Sequence, residues 1–177
     1  MSYLARKADV FLNEWKKDQG RYPLIVKGAR QVGKTETIRR FARKNYKNVI
    51  EINFITEPYY KSIIEEGYKA DSIAKLISRI DPSKHFEAGE TLIFFDEIQD
   101  FPEISTALKF FKEDGKYDVI CSGSLLGVQY HRIASISVGY KTDYQMHSMD
   151  FEEFLWANGY SESMLDDMLN HMLSGMP

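Results

Sequence analysis

The feature that most constrains this chain is an eight-residue segment, Gly28-Ala29-Arg30-Gln31-Val32-Gly33-Lys34-Thr35, which matches the pattern G-x-x-x-x-G-K-[ST] in full. Gly28 and Gly33 allow backbone turns that a side chain would block, and they let the backbone approach an anion closely. Successive N–H groups of such a loop point inward and form a nest for phosphate oxygens. Lys34 adds a charge for the β- and γ-phosphates, and the Thr35 hydroxyl is a hard oxygen ligand suited to Mg²⁺. All eight residues are therefore predicted to form a phosphate-binding loop.

The residues on either side of this loop give it the expected context. The apolar run at residues 24–26 predicts a buried strand before the loop, and the spacing of Ile38, Phe41 and Ala42 predicts a helix over residues 36–44 after it. The positive end of the helix dipole would then face the same phosphates. A strand before the loop and a helix after it form the arrangement that such a motif requires.

The rest of the chain continues this alternation of strands and helices. Strands are predicted at residues 49–54, 91–95 and 117–121, with a fifth candidate at 142–147, and helices at 1–20, 58–81 in two pieces, 102–114, 151–157 and 161–174. The pattern predicts an α/β fold with a parallel sheet covered by helices on both faces. The wholly apolar run at 91–95 is typical of a central strand. We expect residues 1–160 to form one domain, and residues 161–177 to begin a helical region that is truncated here.

Two carboxylates follow the most apolar strand. Asp96 and Glu97 would lie at the carboxyl end of a parallel strand, where open α/β sheets bind their ligands. Asp96 is predicted to hold Mg²⁺, mostly through water, and Glu97 to polarise the water that attacks the γ-phosphate. A GTPase would need a guanine-reading Asn-Lys-x-Asp segment, and none occurs in the sequence. A small-molecule kinase has no need of a water-activating glutamate, so ATP hydrolysis is favoured.

Polar residues at the end of the next strand are further candidates. In ATPases with an extra strand between the loop strand and the acidic strand, a polar residue here contacts the γ-phosphate or the attacking water, and both Ser122 and Ser124 fit. The alternative is that they are ordinary turn or capping serines. Arg132 is a candidate for stabilising transition-state charge from a neighbouring subunit, although an exposed or salt-bridged arginine is the simpler interpretation.

Composition and charge limit the classes of protein, the compartment and the kinds of site that fit this chain. Its 177 residues carry a formal charge of -3, which argues against a dedicated nucleic-acid binder. The single cysteine, Cys121, excludes an intramolecular disulfide, is expected to be a buried structural thiol, and fits a reducing cytoplasm. No run approaches the roughly 20 apolar residues of a membrane helix. The scattered histidines have no metal-site spacing.

The motifs together resemble a known family. Residues 28–35, Phe95-Asp96-Glu97-Ile98-Gln99, Gly123-Ser124-Leu125-Leu126-Gly127 and Met149-Asp150-Phe151-Glu152-Glu153-Phe154-Leu155 are similar to segments of the bacterial and archaeal AAA+-like ATPases of the AAA_14 group. Gly175-Met176-Pro177 resembles the start of the helical region that follows their ATPase core. The resemblance implies a three-layer P-loop NTPase fold of the AAA+/ASCE type with sheet order 5-1-4-3-2. It also implies winged-helix-like and nuclease-like domains that this sequence does not contain.

The sequence therefore predicts an ATP-binding domain that hydrolyses ATP with Mg²⁺, using Lys34, Thr35, Asp96, Glu97 and either Ser124 or Ser122. The alternative from another class is a nucleotide-gated switch or scaffold with negligible turnover, which controls a partner protein or a DNA-acting domain. A nucleic-acid remodeller is a third interpretation. We expect low activity from this stretch alone, because a lid and a trans arginine are expected to be missing. The sequence is compatible with self-association or with a partner protein. It contains no feature that decides whether the domain binds DNA.

Overall fold

Five parallel strands form one sheet in the computed structural model, which describes residues 4–124 and 139–174. The strands are β1 Leu24–Lys27, β2 Asn48–Asn53, β3 Thr91–Asp96, β4 Asp118–Gly123 and β5 Thr142–Gln145. Their spatial order is β2-β3-β4-β1-β5, and every neighbouring pair is parallel. Counted from the opposite edge this is 5-1-4-3-2, so the predicted order and fold class are confirmed.

Six helices precede, connect or follow the strands in the described part of the chain: α1 Lys7–Lys17, α2 Lys34–Asn45, α3 Ala70–Ile80, α4 Ala107–Asp114, α5 Phe151–Ala157 and α6 Glu162–Ser174. Shorter 3₁₀ turns lie at Pro58–Ile64, Ile98–Asp100 and Pro102–Thr106. The first of these corresponds to the first of the two helical pieces predicted within residues 58–81. Tyr60 and Ile63 are both buried there, and a turn with three residues per revolution places residues i and i+3 on the same face.

Two apolar cores lie on opposite faces of the sheet, as the three-layer prediction requires. One contains Ile93 and Phe95 of β3 and packs against α3, α4 and the 3₁₀ turns, and the other contains Leu92 and Phe94 and packs against α1 and α2. All six residues of β3 are buried, so the prediction of a central strand is confirmed. Cys121 lies in the first core, and burial raises the pKa of its thiol. It is the buried structural thiol that the sequence predicted.

The register brings the predicted site residues to one edge of the sheet. Lys27, the last residue of β1, pairs with Gly123 of β4, and Asn53 of β2 pairs with Asp96 of β3. The loop after β1 and the acidic pair after β3 therefore leave the sheet on the same side. Among the described residues, no helix combines the length and apolar character that crossing a membrane would require. The boundary expected at residue 160 stays a prediction.

Candidate functional site

The phosphate loop joins β1 directly to α2. The helix begins at Lys34, two residues earlier than predicted, so the N-terminal end of the helix includes Lys34 and Thr35 themselves. Gly33 precedes it with φ +97°, a left-handed conformation that glycine adopts readily. Gln31 also has a positive φ, 64°, which is uncommon for a residue with a side chain. The loop is therefore tightly curved at two positions.

Gly28 is required for packing between the loop and the segment after β5, in addition to its role in the turn of the loop. A Cβ atom at this position would lie 2.2 Å from the backbone oxygen of Met146. That residue follows β5, and its N–H donates to the Lys27 carbonyl at 2.7 Å. The first glycine of the motif therefore lets the backbone after β5 pack against the loop, a reason that the motif alone did not reveal.

Lys34 lies across the loop with only 7% of its surface exposed. Its ammonium donates to the carbonyls of Gly28 at 3.0 Å and Ala29 at 2.7 Å. Burial lowers the pKa of Lys34, while the charges of Glu97 and Asp96 oppose that shift. The amine is therefore positioned within the loop and electrostatically coupled to the acidic pair.

Asp96 is the most heavily bonded side chain of the site. It is 3% exposed and accepts hydrogen bonds from the hydroxyls of Thr35, at 3.0 Å, and Ser122, from the Glu97 N–H at 3.0 Å and from the Asn53 amide at 3.4 Å. Burial raises the pKa of this carboxyl, although the bonds from Ser122 and Thr35 lower it again. The loop hydroxyl and the strand carboxylate thus meet directly.

This donor set fits Mg²⁺. A hydroxyl and a carboxylate are hard oxygen ligands, and Mg²⁺ is usually held by one or two carboxylates together with substrate phosphates. The described residues contain no cluster of three or more His, Cys, Asp or Glu side chains that could hold a metal by itself. A metal at Thr35 and Asp96 would therefore depend on phosphate oxygens for the rest of its coordination.

Glu97 is held in a strained turn. Its φ of 56° and ψ of 46° are left-handed, a conformation that costs energy for a residue with a side chain and recurs at functional sites. Its carboxylate accepts a hydrogen bond from the amide of Gln99. The oxygen of the same amide accepts from the Ser124 N–H at 3.1 Å. Gln99 therefore links the acidic turn to the end of β4.

The structure separates the two serines that the sequence left as alternatives. Ser122 is fully buried in β4 and donates its hydroxyl to Asp96. The Ser124 hydroxyl is buried but has no hydrogen-bond partner among the described atoms, and Ser124 is one of the residues that line the cavity formed by the loop. Ser122 therefore supports the carboxylate, whereas Ser124 borders the cavity and keeps a hydroxyl without a partner among the described atoms.

Asn53 and Gln99 were not assigned to the site from the sequence. Asn53 ends β2, and besides contacting Asp96 it accepts from the N–H groups of Ile55 and Thr56 at 3.0 and 3.1 Å. Its position at the carboxyl end of a parallel strand was an available signal. For Gln99, the only signal in the sequence was its place in a segment that resembles a known family.

A cavity of about 640 Å³ joins most of these residues, and it is lined by Arg30, Gln31, Gly33, Lys34, Thr35, Glu36, Arg39, Ile55, Glu97 and Ser124. Val32 is buried and belongs to the apolar core on the α1 side, so its side chain is structural. Ala29, Arg30 and Gln31 are exposed, and the last two also line the cavity. Arg132 lies outside the described residues.

Comparisons with known proteins identify a family that matches the chain and solved structures that are similar to it. The model of the family AAA_14, described as an AAA domain, matches residues 20–155. Pif1 helicase from Candida albicans is similar in structure, with a TM-score of 0.51, 14% identity, and coverage of 96% of this chain and 44% of that one. C. elegans PCH-2 has a TM-score of 0.48 and 11% identity over 80% of this chain and 41% of that one. No curated protein matches the chain. The chain spans less than half the length of these solved structures.

Proposed function

The chain belongs to the AAA_14 family of AAA domains, and we propose that this nucleotide-binding domain binds ATP with Mg²⁺ and hydrolyses it. The observation that carries the proposal is the 3.0 Å contact between the Thr35 hydroxyl and the Asp96 carboxylate. It brings together the loop hydroxyl and the strand carboxylate that would hold Mg²⁺ beside the phosphates of the nucleotide. Glu97 and Ser124 border the same cavity.

Binding is assigned to the loop and the first turn of α2. The backbone N–H groups of residues 28–35 would surround the phosphates, and the Lys34 ammonium would exchange its loop carbonyls for phosphate oxygens. Thr35 and Asp96 would hold Mg²⁺, which supplies neutralisation of the charge that develops on the transferred phosphate. Because Asp96 also accepts bonds from Ser122 and Asn53, its carboxylate is fixed in orientation before a ligand arrives.

Hydrolysis is assigned to Glu97 with Ser124. The Glu97 carboxylate would accept a proton from the attacking water, and the bond from Gln99 would restrict its orientation. The Ser124 hydroxyl has no protein partner in the described residues and would bond to the γ-phosphate or the water. Its backbone is tied to Gln99, so the base and the hydroxyl would be positioned by one side chain.

The same geometry supports a second function of another class. One oxygen of Glu97 is already occupied by Gln99, and a base that stays so engaged would activate water poorly. The domain would then act as a nucleotide-gated switch that binds ATP tightly, turns over negligibly and controls a partner. What the bound nucleotide controls would be self-association of the domain, binding of a partner protein or an action on nucleic acid.

The test combines nucleotide affinity with steady-state ATP hydrolysis in the presence of Mg²⁺. Lys34→Ala should lose nucleotide binding, because the charge inside the loop is removed. Glu97→Gln should bind with unchanged affinity and lose about 10²- to 10⁴-fold in turnover, the range for removing a general base. Lys44→Ala is a matched control, because Lys44 is an exposed lysine in the last turn of the same helix.

The outcomes distinguish the proposals. Turnover in the wild type that is lost in Glu97→Gln and kept in Lys44→Ala would support hydrolysis with Glu97 as base. Tight wild-type binding without turnover would favour the switch. Turnover that persists unchanged in Glu97→Gln would refute the assignment of the base. Absence of ATP binding by the wild type would refute the proposal as a whole.

A further inference from the structure

We propose that Arg6 is a positioning residue for the phosphate loop: it holds the Val32 carbonyl so that the Gly33 N–H faces the nucleotide, and it ties this peptide to α5 through Glu153. Arg6 lies outside the residues that match the family model. The proposal rests on the proposed function insofar as the loop binds nucleotide phosphates. It adds a residue from the start of α1 to the construction of that site.

The contacts of Arg6 reach three different segments. Its guanidinium donates to the Val32 carbonyl at 2.9 Å and to the His147 carbonyl at 2.9 Å. Its Nε lies 3.1 Å from a carboxylate oxygen of Glu153, and the two side chains are only 10% and 6% exposed. The planar fork of an arginine can satisfy several acceptors at fixed angles, which a lysine cannot do.

The contact with the Val32 carbonyl also determines the direction of the Gly33 N–H, because the two groups belong to one rigid peptide bond. A trans peptide is planar, so the carbonyl of Val32 and the N–H of Gly33 point in opposite directions. Because Arg6 holds the carbonyl on the α1 side, the N–H is directed to the other side, where Gly33 borders the loop cavity. A Cβ at Gly33 would lie 3.4 Å from the Arg6 guanidinium, so the arginine packs directly beneath this residue.

Glu153 gives the arrangement a second anchor. It accepts hydrogen bonds from the backbone N–H groups of Lys7, at 2.8 Å, and Asp150, at 3.1 Å, which begin α1 and α5. A buried ion pair is expensive to break from one side, because the remaining charge is left without its partner. The orientation of the Val32–Gly33 peptide is therefore coupled to the position of α5.

The neighbouring residue Lys7 provides a matched control. Its ammonium pairs with Asp150 and Glu152, so it also joins α1 to α5, but through side chains that are more than 40% exposed. Within the described part of the chain, its hydrogen bonds and ion pairs go to residues 150–153 and not to the phosphate loop. Lys7→Ala should therefore leave nucleotide affinity unchanged, whereas a change at Arg6 should weaken it.

The experiment measures the affinity of a fluorescent ATP analogue, the melting temperature with and without saturating ADP, and kcat and KM. Arg6→Lys keeps a positive charge for Glu153 but lacks the planar fork whose two terminal nitrogens donate separately to the Val32 and His147 carbonyls. We expect its Kd to rise about tenfold, equivalent to about 1.4 kcal/mol, and its ADP-induced rise in melting temperature to shrink. Saturated turnover should stay within about threefold of the wild type.

A purely structural role would give a different result. Arg6→Lys would then lower the melting temperature without ADP but keep the ADP-induced rise and the wild-type Kd, which would overturn the inference. An equal loss of affinity in Lys7→Ala would overturn it as well. Arg6→Ala is a stronger variant, and if it does not fold, Arg6→Lys carries the test. If the wild type itself binds no nucleotide, the proposed function fails first, and that outcome differs from a wild type that binds while Arg6 variants bind equally.

Discussion

Substitutions of the two serines at the carboxyl end of β4 should affect different properties of the protein. Ser122→Ala removes a hydroxyl that donates to the buried Asp96 carboxylate, whereas Ser124→Ala removes a hydroxyl without a partner among the described atoms. The first should therefore reduce stability, and the second should reduce turnover. The pair tests whether the structure has separated the supporting serine from the one that faces the ligand.

The magnitude for Ser122→Ala follows from the bond it removes. A hydrogen bond to a charged group contributes about 1.5–3 kcal/mol, and burial of Asp96 at 3% exposure keeps that value near the middle of the range. A loss of about 2 kcal/mol corresponds to a fall of roughly 4–8 °C in melting temperature for a domain of this size. Ser124→Ala should change the free energy of unfolding by less than about 0.5 kcal/mol.

The assays are urea unfolding at pH 7 and steady-state ATP hydrolysis on the same preparations. Ser124→Ala should bind nucleotide normally and lose about 10- to 100-fold in kcat, which corresponds to a lost hydrogen bond to a charged group of about 1.5–3 kcal/mol. Equal destabilisation by the two variants would refute the separation of roles. So would unchanged stability in Ser122→Ala, because the carboxylate would then not depend on that donor.

Three further predictions rest on other contacts. Gly28→Ala should destabilise the domain by about 1–3 kcal/mol in thermal unfolding, because its Cβ would meet the Met146 backbone oxygen at 2.2 Å; an unchanged melting temperature would contradict this. Gln99→Leu should lower kcat about tenfold at unchanged nucleotide affinity, because Glu97 loses its donor; wild-type kcat would show that this bond does not position the base. Burial alone would raise the pKa of Asp118, but hydrogen bonds from the side chains of Arg21, Tyr46 and Lys16 hold that pKa below its ordinary value. The stability that these bonds give to the folded protein is therefore present above about pH 4 and is lost as pH falls through the folded-state pKa. Asp118→Asn should thus cost about 2 kcal/mol at pH 7 and make stability less dependent on pH during urea unfolding at pH 7 and pH 3; an equal loss at both would contradict the linkage.

The fold and the central motif could be predicted because their signals are local. The eight residues of the loop are consecutive, the strand before the acidic pair is apolar throughout, and each helix carries its own periodic pattern. Local patterns also limited accuracy. The start of α2 at Lys34 lies inside the motif, two residues before the predicted start, and the helical pattern after Pro58 did not distinguish the 3₁₀ helix at Pro58–Ile64 from an α-helix.

The assignment of the serines shows where local reasoning ends. Ser122 and Ser124 are two residues apart, and alternation along a strand places such residues on the same face. Only the structure shows that β4 ends at Gly123, so that Ser122 stays within the sheet behind Asp96 and Ser124 reaches the cavity. A sequence pattern with a period of two could not have separated them.

The sequence by itself determined the parallel α/β class, the loop and the carboxylates, because each depends on residues that are adjacent along the chain. The tertiary structure alone decided which distant residues support them. Arg6 is 26 residues from Val32, and Gln99 is 25 residues from Ser124. These contacts arise when parallel strands and their connections bring separate segments to one edge of the sheet, and no local spacing specifies which side chains then meet.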